Sequence, residues 1–135
     1  MTWKEHYLTL LREQRETQRR LEQIKYFDEV ERPKLFASNK DLYHMYLRFG
    51  DLEEFTNYAR ENKQANLFYQ SEVFWYDKIH YDISSINHNP YYILDKPINL
   101  NQLILDKPLN ISWREYYIQL INEIPSLKSK VCPRG

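Results

Sequence analysis

Glycine is nearly missing: the chain has two in 135 residues. So small a supply leaves few left-handed turns and no glycine-rich loop to cradle a phosphate. A single cysteine excludes an internal disulfide and offers a zinc site at most one thiolate. Net charge is absent too, because 19 Lys and Arg balance 19 Asp and Glu. Nucleic acid bound by charge alone is therefore excluded, since phosphate contacts need a basic face. No apolar run approaches the ~18 residues of a membrane span. Met1 to Glu5 do not open a signal peptide. The expectation is a soluble intracellular protein, cytoplasmic or nuclear, with no membrane contact.

Catalytic signatures are equally scarce. There is no Gly-x-Ser-x-Gly, no Walker loop and no paired metal motif. His6, His44, His80 and His88 are scattered, and no Cys-x-x-Cys joins them. The reading is no enzyme, no metal and no cofactor. Cys132 sits in a basic C-terminal stretch and reads as an ordinary exposed thiol. Arg12, Arg15, Arg19 and Arg20 suggest a phosphate-binding strip, but Glu13, Glu16 and Glu22 interleave with them and favour a ladder of i,i+4 ion pairs.

Aromatic residues are plentiful: they make up 16% of the chain, with 12 tyrosines. The length suits one domain with a real core. Thr2 and Glu5 form a capping box that opens a helix over about the first thirty residues. Trp3, Tyr7, Leu10, Gln14, Thr17, Leu21 and Ile24 follow heptad spacing. Gln14 and Thr17 interrupt that seam, which favours a solvated helix packed at both ends over a coiled coil. Pro33 is expected to end the helix. Ser38 or Asn39 caps a short helix to about Phe49, and Gly50 closes it. Asp51 caps the next, to about Glu61, with Asn62 after it. A third helix, from about Ala65 to Tyr81, carries more apolar surface than one stripe needs and should be central.

From Ser84 to Asn110 the helical period disappears and Pro90, Pro97 and Pro108 accumulate. Within it Ile93–Asn99 is echoed by Ile104–Asn110. A long ordered loop with a turn at each Asp-Lys-Pro is expected, or alternatively two short strands. Ser112 opens a last helix to about Glu123, with Pro125 beyond it. Residues 126–135 read as a basic, flexible tail.

One internal repeat stands out. Thr2-Trp3-Lys4-Glu5-His6-Tyr7-Leu8-Thr9-Leu10-Leu11 aligns without a gap on Ser112-Trp113-Arg114-Glu115-Tyr116-Tyr117-Ile118-Gln119-Leu120-Ile121. Each copy is a cap, a tryptophan, a base and a glutamate, then tyrosine four residues after the tryptophan, on one helix face.

This Ser-Trp-basic-Glu-x-Tyr-aliphatic run resembles F-box and F-box-like domains, including those of elongin A and of large DNA viruses. Phe74-Trp75-Tyr76-Asp77-Lys78-Ile79-His80-Tyr81-Asp82-Ile83 is similar to the tryptophan-bearing helix that precedes the run in that family. The chain also departs from that pattern. No Leu-Pro opens the first F-box helix, Ile83 replaces a phenylalanine, and the insert before Ser112 is long.

The resemblance implies a mainly α fold. It comprises an N-terminal amphipathic helix (1–32), an F-box-like helical domain (33–125) and the tail. It implies an adaptor that docks a Skp-type protein of a cullin ubiquitin ligase through Leu42, Tyr46, Phe49, Leu52 and Phe55. Trp75, Asp82, Trp113, Glu115 and Tyr117 would then hold the domain together, with Trp3, Glu5, Tyr7 and Ser112 as the remaining motif residues. The missing Leu-Pro and the duplicated helix motivate a second expectation: a structural or assembly protein, for example viral, that self-associates through its N-terminal helix.

Overall fold

Thr2 starts the first helix as its side chain requires. In the computed structural model, which describes residues 2–89 and 97–131, Thr2 Oγ1 accepts the N–H of Glu5. Glu5 Oε2 in turn accepts the N–H of Thr2, both at 3.2 Å. Helix α1 then runs Trp3–Tyr26 and passes through a π turn, Phe27–Glu31, into α2, Arg32–Leu47. Next come α3 (Leu52–Glu61), α4 (Lys63–Tyr69), α5 (Glu72–His88), α6 (Leu100–Asp106), α7 (Trp113–Glu123) and α8 (Pro125–Val131). The fold is mainly α, and no strand occurs among the described residues.

Pro33 does not end the first helix. It occupies the first turn of α2, where a missing N–H costs least, and the wide π turn before it absorbs the change of register. Helical backbone therefore continues through residue 32. The real break lies inside α2 at Asn39, whose backbone is extended (φ −167°, ψ 92°). Its Oδ1 accepts the N–H of Leu42 at 3.0 Å, so of the two candidates, Ser38 and Asn39, the cap is Asn39.

Gly50 does not close α2 by adopting a left-handed turn, for no glycine there has positive φ. Asp51 caps α3, and Asn62 both ends α3 and caps α4, its Oδ1 accepting the N–H of Ala65. The single helix expected from Ala65 to Tyr81 is two helices. Trp75 Nε1 donates to the carbonyl of Tyr69 at 2.7 Å and fastens the corner between them.

The expected loop is helical at both ends of its described part. Helix α5 extends to His88, and α6 ends in the first three residues of the second copy of the Ile-Leu-Asp-Lys-Pro echo. The chain turns at Asp106-Lys107-Pro108; the first Asp-Lys-Pro has its Asp95 and Lys96 outside the described residues. Asn87 closes the excursion by pairing with both the N–H and the carbonyl of Ile98, each at 2.8 Å. The tail also begins as helix: Leu127 of α8 is buried in the core. Cys132 and the last residues lie outside the described part.

Helix α5 is the axis of the domain. Val73, Phe74, Trp75, Tyr76, Lys78, Ile79, Asp82, Ile83 and Ile86 are all buried. Helices α2, α4, α6, α7 and α8 pack around it. Aromatic edges fill the space. Phe27, Tyr76 and Tyr116 surround Trp113, and Tyr117 lies 5.3 Å from Trp75.

Trp113→Ala should cost about 3–5 kcal/mol, as for a large core truncation. Trp3→Ala should leave the urea midpoint unchanged. Equal losses from both would show that the first helix packs on the core.

Candidate functional site

The residues expected to bind a partner lie where α2 turns into α3. Phe49 stacks on Phe55 at 4.4 Å, and Tyr46 lies 5.5 Å from Phe55. Tyr46 and Phe55 are buried at 8% and 4% exposure, because Phe55 reaches Phe74 and Trp75 of α5. These two are core residues, which corrects the expectation that they fill grooves on a partner. Leu42, Phe49 and Leu52 are half-buried against the same core. What remains outside is a cleft of about 320 Å³ lined by Phe49, Gly50, Asp51, Glu54, Phe55 and Tyr58. Exposed Met45 and Tyr58 belong to the same two helices.

Beneath this corner sits Lys78, with no exposure at all. Its Nζ donates to the carbonyls of Leu47 and Phe49, at 2.6 and 2.9 Å, and to Asp82 Oδ1 at 3.1 Å. The ammonium also lies 4.1 Å from the centre of the Phe49 ring. Tyr117 donates to the other Asp82 oxygen at 2.6 Å. One buried charge thus catches the carbonyls at the end of α2, and one buried carboxylate joins α5 to α7. Sequence reading singled out Asp82 and Tyr117 and missed Lys78. The signal was there: a lysine four residues before an aspartate, in a helix segment rich in large apolar and aromatic residues.

A second network orients the π turn. Arg32 grips Asp77 through Nε and Nη2, at 2.9 and 2.6 Å, and also reaches Asp28. Tyr43 donates its hydroxyl to the same Asp77. Asp77 holds the guanidinium above its ordinary pKa, and burial beside that carboxylate pushes the Tyr43 phenol up. Glu31 accepts from the Ser71 hydroxyl at 2.6 Å and from the N–H of Val73 at 3.4 Å, so it caps α5 from another element. On α1, Arg20 donates to the carbonyls of Leu105 and Lys107 behind α6. Tyr116 donates to the carbonyl of Leu103, and burial first, then nearby acids, leave its phenol pushed up to about 12.

The two copies of the repeat meet opposite fates. In the second, Ser112 Oγ accepts the N–H of Glu115, and Glu72 of α5 accepts the N–H of Trp113. Trp113 and Tyr117 have 0% exposure, and Leu120 and Ile121 are buried. Glu115 takes part through its backbone; its side chain is exposed, so it is not a core strut. In the first copy, Trp3 is 80%, Tyr7 49% and Leu10 45% exposed. Trp3 and Tyr7 stack only on each other, 5.7 Å apart.

Arg20 is the first buried residue of α1. From Trp3 to about Gln18 the helix therefore projects, roughly 24 Å at 1.5 Å per residue, while Arg19 already lines a cleft with Glu72, Lys107, Leu109 and Ile111. The helix is not packed at both ends. Leu8, Leu11, Arg12, Arg15 and Arg19 lie together along its surface. Among the described residues α1 forms no ion pair, so the expected ladder is not built. Its one side-chain bridge between charged or amide groups runs from Gln18 to Glu22.

Among the described residues no group of three or more His, Cys, Asp or Glu side chains is placed to hold a metal ion, and no helix is long and apolar enough to cross a membrane. No protein-family model matches the chain, and no curated protein or solved structure matches it either.

Lys78→Met should destabilise the fold by about 3–5 kcal/mol, because Asp82 loses its cationic partner inside the core. Lys78→Met/Asp82→Leu should lose clearly less than the two single changes combined. Additive losses in urea titrations would show that the pair is not coupled.

Proposed function

We propose that this chain is a non-enzymatic protein–protein interaction module that self-associates through its N-terminal helix. The observation behind this reading is the exposed copy of a motif that is core elsewhere in the same chain. Trp, Tyr and Leu in the Ser112 copy are wholly buried; the same residue types in the Thr2 copy stand in water. Isolated exposed apolar side chains are ordinary, but a run of Trp3, Tyr7, Leu8 and Leu10 on one projecting helix is a surface to be covered. An assembly or structural protein working inside a cell fits this arrangement.

A second reading keeps the F-box-like adaptor. The cleft at Phe49, Asp51, Glu54 and Tyr58 favours it, being an apolar floor with an acidic rim at the corner where such a domain would meet a Skp-type protein. Tyr46 would support that surface from within, and Phe55, mostly core, would form the floor of the cleft.

Light scattering over rising concentration should show the mass climbing from monomer towards dimer, and Trp3→Ser/Tyr7→Ser should stay monomeric at unchanged thermal stability. A monomer at every concentration overturns self-association. For the adaptor reading, a purified Skp-type protein should bind the chain and lose at least tenfold in affinity to Glu54→Lys/Tyr58→Ser. No binding, or binding that ignores those changes, removes it.

A further inference from the structure

We infer that two copies of the chain pair their α1 helices in parallel and in register, along the stripe Trp3, Tyr7, Leu10, Gln14, Thr17 and Leu21. This rests on the self-association reading and adds the orientation and the contact residues. The stripe keeps heptad spacing over residues 3 to 21, roughly 27 Å of helix. Its next member, Ile24, already packs on the chain's own core, so the seam stops at Leu21. Leu21 itself is 54% exposed.

Parallel pairing sets like against like. Trp3 meets Trp3 of a second copy, Tyr7 meets Tyr7, Leu10 meets Leu10 and Leu21 meets Leu21. Gln14 faces Gln14, and Thr17 faces Thr17, so polar groups find polar partners. Polar layers in such a seam cost stability, and matching like with like is how they set register in parallel pairs. Antiparallel pairing over the same stripe sets Leu10 against Gln14 and Tyr7 against Thr17, which wets the apolar layers. It also brings like flanks together, so that Glu13 confronts Glu13 across the axis. The charge pattern and the apolar pattern choose the same orientation.

The coverable area sets the strength. Trp3 and Tyr7, given their exposure, hold on the order of 250 Å² between them. Leu10 and Leu21 add on the order of 100 Å² more. Two copies would bury about 700 Å² of this surface, below the roughly 1,200 Å² of a standard stable complex. The dimer is therefore weak and concentration-dependent.

Disulfide trapping tests the orientation. Gln14→Cys, in a Cys132→Ser background, should form a disulfide-linked dimer under mild oxidation. Position 14 then faces its own counterpart within the ~4.4–6.8 Å Cα separation that a disulfide needs. Adding Trp3→Ser should abolish the trapped species. Antiparallel pairing predicts otherwise: no disulfide from Gln14→Cys alone, but one between Leu10→Cys and Gln14→Cys chains when the two are mixed. That result, or a dimer by light scattering that traps at neither position, overturns the parallel seam and leaves self-association standing. A monomer at every concentration overturns both. Residue 14 is exposed, so neither the cysteine nor its oxidation threatens folding.

Discussion

A lysine without access to water organises this molecule. Lys78 stands in the middle of the most buried helix, and its ammonium is expensive to desolvate unless its protons find acceptors. Two of those acceptors are carbonyls at the end of α2, which a helix terminus leaves without intrahelical partners. The third is Asp82, whose second oxygen is taken by Tyr117. The pair therefore demands that α2 end where it does, that α5 lie against it, and that α7 bring Tyr117 to the other side. A purely apolar core would hold the helices together with less insistence on a single arrangement.

The same economy governs the other helix ends. Glu31 of the π turn serves α5, and Glu72 of α5 serves the first N–H of α7. Arg20 of α1 takes carbonyls behind α6. Each contact joins elements distant in sequence, so the local geometry of one helix end depends on the packing of another. With so few glycines, the corners are made by side chains that reach across, and Gly50 is a bystander at its own turn.

Local chemistry was legible in the sequence, and long-range chemistry was not. Thr2, Asn39, Asp51 and Ser112 cap helices because a short polar side chain reaches an N–H three residues on, and both groups lie in the same short stretch; Asn62, expected only to close α3, caps α4 in the same way. The mainly α class and the central place of the Trp75 helix follow from apolar spacing. Pro33 misled because its missing N–H is tolerated in a first turn, and nothing local announces the π turn that provides one. The stretch after Ser84 misled because asparagines and prolines mask a helix held from outside by Asn87. For Tyr46 and Phe55, spacing gave the correct inner face, and the family pattern assigned that face to a partner. In the structure Phe68 meets Tyr46, and Phe74 and Trp75 meet Phe55. Trp3 and Trp113 carry the same motif, and only the surroundings decide which one is core.

The π turn also sets a compass bearing. An α-helix advances roughly 100° per residue about its axis, and the wide turn at Phe27–Glu31 changes the phase between α1 on one side and α2 on the other. Downstream, Arg32 is gripped by Asp77 and cannot rotate; upstream, the rod inherits whatever phase the turn imposes. Insertion or deletion of a single residue there would swing Trp3 and Tyr7 about a quarter of the way around the helix. Their chemistry would be untouched, but the direction in which the rod offers it would change.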